Sequence, residues 1–194
     1  MIEQFIESDA PYPGLIAGRA AGKTTALILK AKRYIDEHSG AAGVFIVPNI
    51  QQAELAADAF RGQGFTVSEI GRNAHYGSGI VRIRPPDSVE GYRPDFVALD
   101  NADFPGMFSA YQIARRRNRS VWLAATPKYT DKGIHWLAAL YRDRKMPDAE
   151  VVANLAALGK LPDVDPDDYP DFHASTADNP YLPPRLGGAI KNIA

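Results

Sequence analysis

Residues Gly14 to Thr25 read Gly-Leu-Ile-Ala-Gly-Arg-Ala-Ala-Gly-Lys-Thr-Thr. A short apolar run enters a turn of small residues, and Lys23-Thr24-Thr25 opens a helical pattern. This is the layout of a phosphate-binding loop. Backbone N–H groups of Gly18, Arg19, Ala20, Ala21, Gly22, Lys23, Thr24 and Thr25 are placed to ring phosphate oxygens. Lys23 has the reach for the outer phosphates, and the Thr24 hydroxyl suits Mg²⁺. The implied ligand is a nucleoside triphosphate with its magnesium ion. The first position departs from the usual pattern: Ala17 stands five residues before Gly22, where glycine is expected. Arg19 lies inside the loop. It reads either as a solvated side chain or as a guanidinium beside the γ-phosphate, where it would stabilise charge during phosphoryl transfer.

A phosphate loop needs a carboxylate at the end of a neighbouring strand to hold Mg²⁺. Asp100 ends the apolar run Phe96-Val97-Ala98-Leu99 and fits that role, although a lone aspartate there would also serve as a helix cap. ATPases of this kind usually place glutamate next, to polarise the attacking water. Asn101 stands there instead. An amide orients water but does not take its proton at neutral pH. Asp103 is the nearest replacement. If the strand persists, residues 101 and 103 share a face and Asp103 looks into the same cavity. A third candidate is Ala125-Thr126-Pro127, after the run Val121-Trp122-Leu123-Ala124. It reads as a strand-ending turn or as a hydroxyl that senses hydrolysis and couples it to a moving element.

These groups need a scaffold, and the chain supplies alternating strand and helix patterns. Strands are expected over Leu15 to Gly18, Gly43 to Pro48, Phe65 to Ile70, Ile80 to Arg84, Asp95 to Asp100 and Val121 to Ala125. Helices are expected over Lys23 to about Glu37, Gln51 to Phe60, Phe108 to Arg117 and Ile134 to Arg144. Short apolar strands between helices imply an α/β fold with a mainly parallel central sheet covered on both faces. The 194 residues suffice for a sizeable core. The net charge of −1 gives no global signal for nucleic acid, so such contacts would come from local patches. There is no cysteine, hence no disulfide framework or thiolate metal site. No apolar run approaches a membrane span and the N-terminus lacks a signal-peptide form, so a cytoplasmic protein without a membrane partner is expected.

Composition shifts after Met146, dividing the chain into a 1–150 nucleotide-binding domain and a 151–194 extension. Leu161 to Phe172 carries Asp163, Asp165, Asp167, Asp168 and Asp171. The spacing matches no calcium loop, so a Pro-stiffened linker is the preferred reading over a metal site. The basic run Arg115-Arg116-Arg117 with Arg119 reads first as a solvated helix end that suits the helix dipole. The sharper reading is DNA phosphate contact or an arginine acting on a neighbouring subunit. Trp122, Trp136 and Tyr141 are expected in the core.

Taken in order, these motifs resemble the ATPase domain of the large terminase subunit, the DNA-packaging motor of tailed bacteriophages. The resemblance rests on Phe5 to Tyr12 leading into Ala17 to Thr24, on Pro48-Asn49 with Gln52-Ala53, and on Gly91-Tyr92-Arg93-Pro94-Asp95 running into Leu99-Asp100. It extends to Ala125-Thr126-Pro127 and to Thr176-Ala177-Asp178-Asn179-Pro180-Tyr181-Leu182-Pro183. It implies a P-loop fold of the additional-strand type shared with helicases. It also implies Mg²⁺-dependent ATP hydrolysis that drives double-stranded DNA into a procapsid. Lys23 and Thr24 carry over as phosphate and Mg²⁺ ligands, Asp100 as metal carboxylate, Arg19 as the in-loop arginine and Thr126 as the coupling hydroxyl. The implied partners are DNA, the portal protein, a small terminase subunit, a nuclease domain or subunit, and further copies in a ring of about five. The implied location is the cytoplasm of the infected host. Two departures stand out. Asn101 replaces the catalytic glutamate, which leaves as alternatives a slow or silent nucleotide-binding protein of the same assembly, or a helicase-like translocase fragment. Glu90 replaces a trans-acting arginine, which leaves Arg93 or Arg84 as substitutes. No nuclease activity is expected of this chain.

Overall fold

The computed structural model describes residues 1–68, 70, 72–88, 91–126, 136–147 and 161–175. Its centre is an eight-stranded sheet. The elements run α1 (Ile2–Glu7), β1 (Gly14–Ala17), α2 (Lys23–Glu37), β2 (Ala42–Ile46), α3 (Ile50–Gly62), β3 (Thr66–Val67), β4 (Asn73–Tyr76), β5 (Gly79–Arg84), β6 (Phe96–Leu99), α4 (Met107–Arg117), β7 (Val121–Ala125) and β8 (Asp171–Ala174). The spatial order is β3-β4-β5-β2-β6-β7-β1-β8. From β5 to β8 the pairing is parallel, and β3, β4 and β5 form an antiparallel wing. The α/β expectation holds. In particular, β7 lies between the strand that leads into the phosphate loop and the strand that ends at Asp100, so the additional strand is present.

Alternation along the buried strands sends successive side chains to opposite faces. Leu15, Phe45, Phe96, Ala98, Trp122 and Ala124 join the core beneath α1, α2 and α3. Val44, Val97, Leu99, Val121 and Leu123 join the second core, with α4 and the 136–141 segment. Trp122, Trp136 and Tyr141 are all buried, as expected. Close contact fixes two glycines, Gly14 against the 136–141 segment and Gly43 against the neighbouring strand β6. A Cβ on Gly14 would lie 2.5 Å from the Tyr141 ring, and one on Gly43 would lie 2.2 Å from the Phe96 ring.

Some elements differ from the sequence reading. The strand expected over Phe65 to Ile70 shrinks to Thr66–Val67. The helix expected over Ile134 to Arg144 is described only from Trp136, and its Ala138–Arg142 stretch is π-helical. The wider turn seats Tyr141 beneath Gly14, with its hydroxyl donating to Tyr12 O (3.2 Å). Strand β8 has no counterpart among the expected strands. Its first two residues, Asp171 and Phe172, end the acidic, proline-bearing stretch read as a linker, yet the strand's residues pair along the whole of β1. Arg144 holds them by donating to Tyr169 O (2.7 Å) and Asp171 Oδ1 (2.5 Å). Among the described residues, no helix is long and apolar enough to cross a membrane.

Candidate nucleotide site

The phosphate loop leaves β1 at Ala17 and turns through Gly18–Gly22 into α2. Two turn residues have left-handed backbone, Ala20 (φ 56) and Gly22 (φ 81). The second explains why glycine is needed directly before Lys23. Gly22 caps α2 without a side-chain bond, so no side chain occupies the N–H groups of the helix's first turn at that position. Gly18 N–H is committed to Ala174 O at the end of β8 (3.1 Å). Lys23 is buried and lies against the loop, with Nζ donating to Gly18 O (2.7 Å) and Ala17 O (3.2 Å). Burial lowers its pKa, opposed by the charges of Asp100 and Asp103 and reinforced by Arg19.

Asp100 emerges at the end of β6, one strand away from the loop. The first turn of α2 spans the gap: Thr24 Oγ1 donates to Asp100 Oδ2 at 2.7 Å. A hydroxyl and a carboxylate oxygen in contact are the hard donors that magnesium prefers. Burial raises the Asp100 pKa to about 6, against the lowering effects of Thr24, Lys23 and the Asn101 N–H. A buried carboxylate held at that cost suits a divalent cation, so these residues fit Mg²⁺. Among the described residues no cluster of His, Cys, Asp or Glu offers another metal site.

The chain does not continue as a strand after Asp100. Asn101 adopts left-handed backbone (φ 55) and its N–H donates to Asp100 Oδ1 (3.1 Å). Phe104 N–H returns to Asn101 O (3.1 Å), closing a tight turn. Asp103 therefore reaches the site by a turn and not by strand alternation. It is buried, close enough to influence both Lys23 and Asp100. Its Oδ1 accepts the Thr126 N–H at 3.1 Å. Sequence reasoning names both Asp103 and Thr126 but misses the bond between them; backbone donors leave no signature in residue type. Pro127 and the segment Thr176 to Pro183 lie outside the described residues, as does Glu90.

The arginines divide by position. Arg19 is exposed on the loop and Arg93 is exposed before β6. Arg84, at the end of β5, donates to Asn73 Oδ1 (3.1 Å) and lies over the Tyr92 ring. The run at the end of α4 sits beside the start of β6, where Val97 N–H bonds Ser120 O, and so at the sheet edge opposite Asp100. Within it Arg116, Arg117 and Arg119 are exposed. Arg115 is not: its Nε donates to Tyr169 OH (2.6 Å), and its guanidinium lies near the stacked rings of Tyr12 and Tyr169. A cavity of about 520 Å³ also lies at that edge, lined by Lys30, Arg33, Tyr34, His38 and Trp122. The Lys30 ammonium is spent on carbonyls of Phe5, Ile6 and Ser8, fastening α1 to α2.

No protein-family model matches the sequence, and no curated protein matches it. Solved structures do. The large terminase ATPase domain of Thermus phage P74-26 matches at 21% identity and a TM-score of 0.59, over 89% of this chain and 79% of that one. The large terminase of a second thermophilic bacteriophage matches at 12% identity and a TM-score of 0.67, over 100% of this chain and 49% of that one. That second terminase in complex with ATP-γ-S matches at 13% identity and 0.64, over 100% and 48%. This chain spans about half the length of the second terminase. At these identities the likeness establishes a shared fold.

Proposed function

We propose that the chain is the ATP-binding and ATP-hydrolysing part of a motor that packages double-stranded viral DNA into a procapsid. The observation that carries this reading is the Thr24–Asp100 contact of 2.7 Å, made across the inserted strand β7 at the mouth of a phosphate loop. The shared fold with terminase ATPase domains supports it, as does the ATP-γ-S complex of one large terminase. Lys23 would exchange its Gly18 and Ala17 carbonyls for the outer phosphates, Thr24 and Asp100 would hold Mg²⁺, and Arg19, exposed on the loop, would stabilise charge on the transferred group. Bound magnesium would supply charge compensation to the phosphates. The Asn101 amide orients the attacking water without accepting its proton. On this reading the portal protein, a small terminase subunit, a nuclease domain or subunit and other copies of the chain are its partners in the host cytoplasm. Arg116, Arg117, Arg119, Arg84 and Arg93 are the candidates for DNA or neighbouring-subunit contact.

A second reading is favoured by one observation: Asn101 sits in left-handed backbone where a glutamate side chain would be strained. The chain would then bind nucleotide and hydrolyse it slowly or not at all. ATP turnover by the purified protein, with and without duplex DNA, separates the two. The motor reading expects DNA-stimulated turnover that Lys23→Ala abolishes. It also expects Asn101→Gly, which keeps the backbone unstrained, to lower kcat while leaving KM near its original value. Tight ATP binding with no turnover under either condition would leave the silent reading.

A further inference from the structure

We propose that Asp103 is a positioning residue that fixes the end of β7, and with it the Thr126 hydroxyl, relative to the metal-binding turn; this rests on the ATPase reading of the same site. The pairing of β6 with β7 ends in register at Leu99 and Leu123. The backbone then leaves the sheet at Asn101, yet the ladder does not stop. Ala102 N–H donates to Ala124 O at 2.9 Å, and the Asp103 carboxylate accepts the next inward N–H, that of Thr126, at 3.1 Å. A side chain thus supplies the acceptor that strand backbone would otherwise provide. Without it the Thr126 N–H loses the partner that offsets its desolvation, and the segment beyond Ala125 is free to shift.

The same turn is anchored at its other end. Asp100 is bonded to Thr24 on the phosphate-loop helix, and Asn101 N–H folds back onto Asp100. One turn of four residues, Asp100 to Asp103, therefore ties the start of α2 to the end of β7 through its two carboxylates. Any displacement of Thr24 on nucleotide turnover acts on Asp100, and Asp103 carries it to Thr126. The backbone donor on Oδ1 holds the Asp103 carboxylate in place at the end of β7.

The test compares Asp103→Asn with Asp103→Ala. An asparagine oxygen still accepts the Thr126 N–H, whereas alanine offers nothing. The expected result is that Asp103→Asn keeps kcat within a few-fold of the original while Asp103→Ala loses at least about tenfold. KM for ATP should stay within about twofold in both variants, because Lys23, Thr24 and Asp100 are untouched. Exchange of the Thr126 amide proton, followed by NMR, should accelerate in Asp103→Ala and not in Asp103→Asn. Equal loss of kcat in both variants would make Asp103 a base and overturn the proposal. So would a Thr126 amide whose exchange is indifferent to Asp103→Ala. If the unmodified protein proves inactive, the ATPase reading fails, while amide exchange still decides the bond.

Discussion

At the scale of single residues, the role proposed for Asp100 and the stability of the fold oppose each other. Burial raises its pKa from 3.8 to about 6. The stabilisation linked to its protonated form is complete below about pH 3.8 and lost as pH rises through about 6. At pH 7 the ionised carboxylate therefore burdens the nucleotide-free fold by up to about 3 kcal/mol. Asp100→Asn is expected to raise the Tm of the nucleotide-free protein at pH 7 and to weaken Mg²⁺-nucleotide binding at least about tenfold. Calorimetric melting and nucleotide titration check the two halves. In the unmodified protein, Mg²⁺-nucleotide affinity should fall as pH drops below about 6. That Lys23, Thr24 and Asp100 lie together was legible in the sequence, because the loop pattern and a strand-end carboxylate restrict residue type and spacing. The left-handed backbone at Asn101 was not, since asparagine is also common in ordinary turns.

At the scale of elements, legibility followed apolar pattern. Strands β1, β2, β6 and β7 announce themselves as buried runs, because both of their faces are covered. Strand β8 alternates Phe172 and Ala174 with the polar Asp171 and His173, too short a pattern to stand out, and it is held from outside its own sequence. Arg144 fastens it, and just before it Tyr169 packs with Tyr12 and Arg115, three residues from separate segments that no local window contains. This reassigns what Arg115 is expected to do. Arg115→Ala should destabilise the protein by about 1–3 kcal/mol, because it strips a buried phenol of its donor and a ring pair of its cation. Arg116→Ala, on an exposed neighbour, should shift stability by less than about 0.5 kcal/mol. Chemical denaturation of the two variants checks this; equal and negligible changes would return Arg115 to the solvated helix end.

For the whole molecule, one sheet separates two cores. Trp122 belongs to the face under α2 and Trp136 to the face under α4. The central strands β2, β6 and β7 contribute to both faces, so neither core can be lost alone. Unfolding should be a single cooperative event. Trp122→Phe leaves Trp136 as the sole indole reporter, and Trp136→Phe leaves Trp122. Their fluorescence transitions in urea should coincide with loss of far-ultraviolet circular dichroism in each variant, once its own stability is accounted for. Separated midpoints within one variant would indicate two units.

The position of β1 has a consequence for biosynthesis. Its two neighbours in the sheet are β7 and β8, drawn from residues 121–125 and 171–174, while β1 itself spans residues 14–17. An emerging chain therefore releases its phosphate loop well before either strand that flanks it. Until residue 174 has left the ribosome, the strand that carries the loop has an unpaired hydrogen-bonding edge. Contacts between residues so far apart along the chain close slowly, and exposed strand edges invite pairing with other chains. Among the described residues, the loop carried by β1 is thus made early and flanked late.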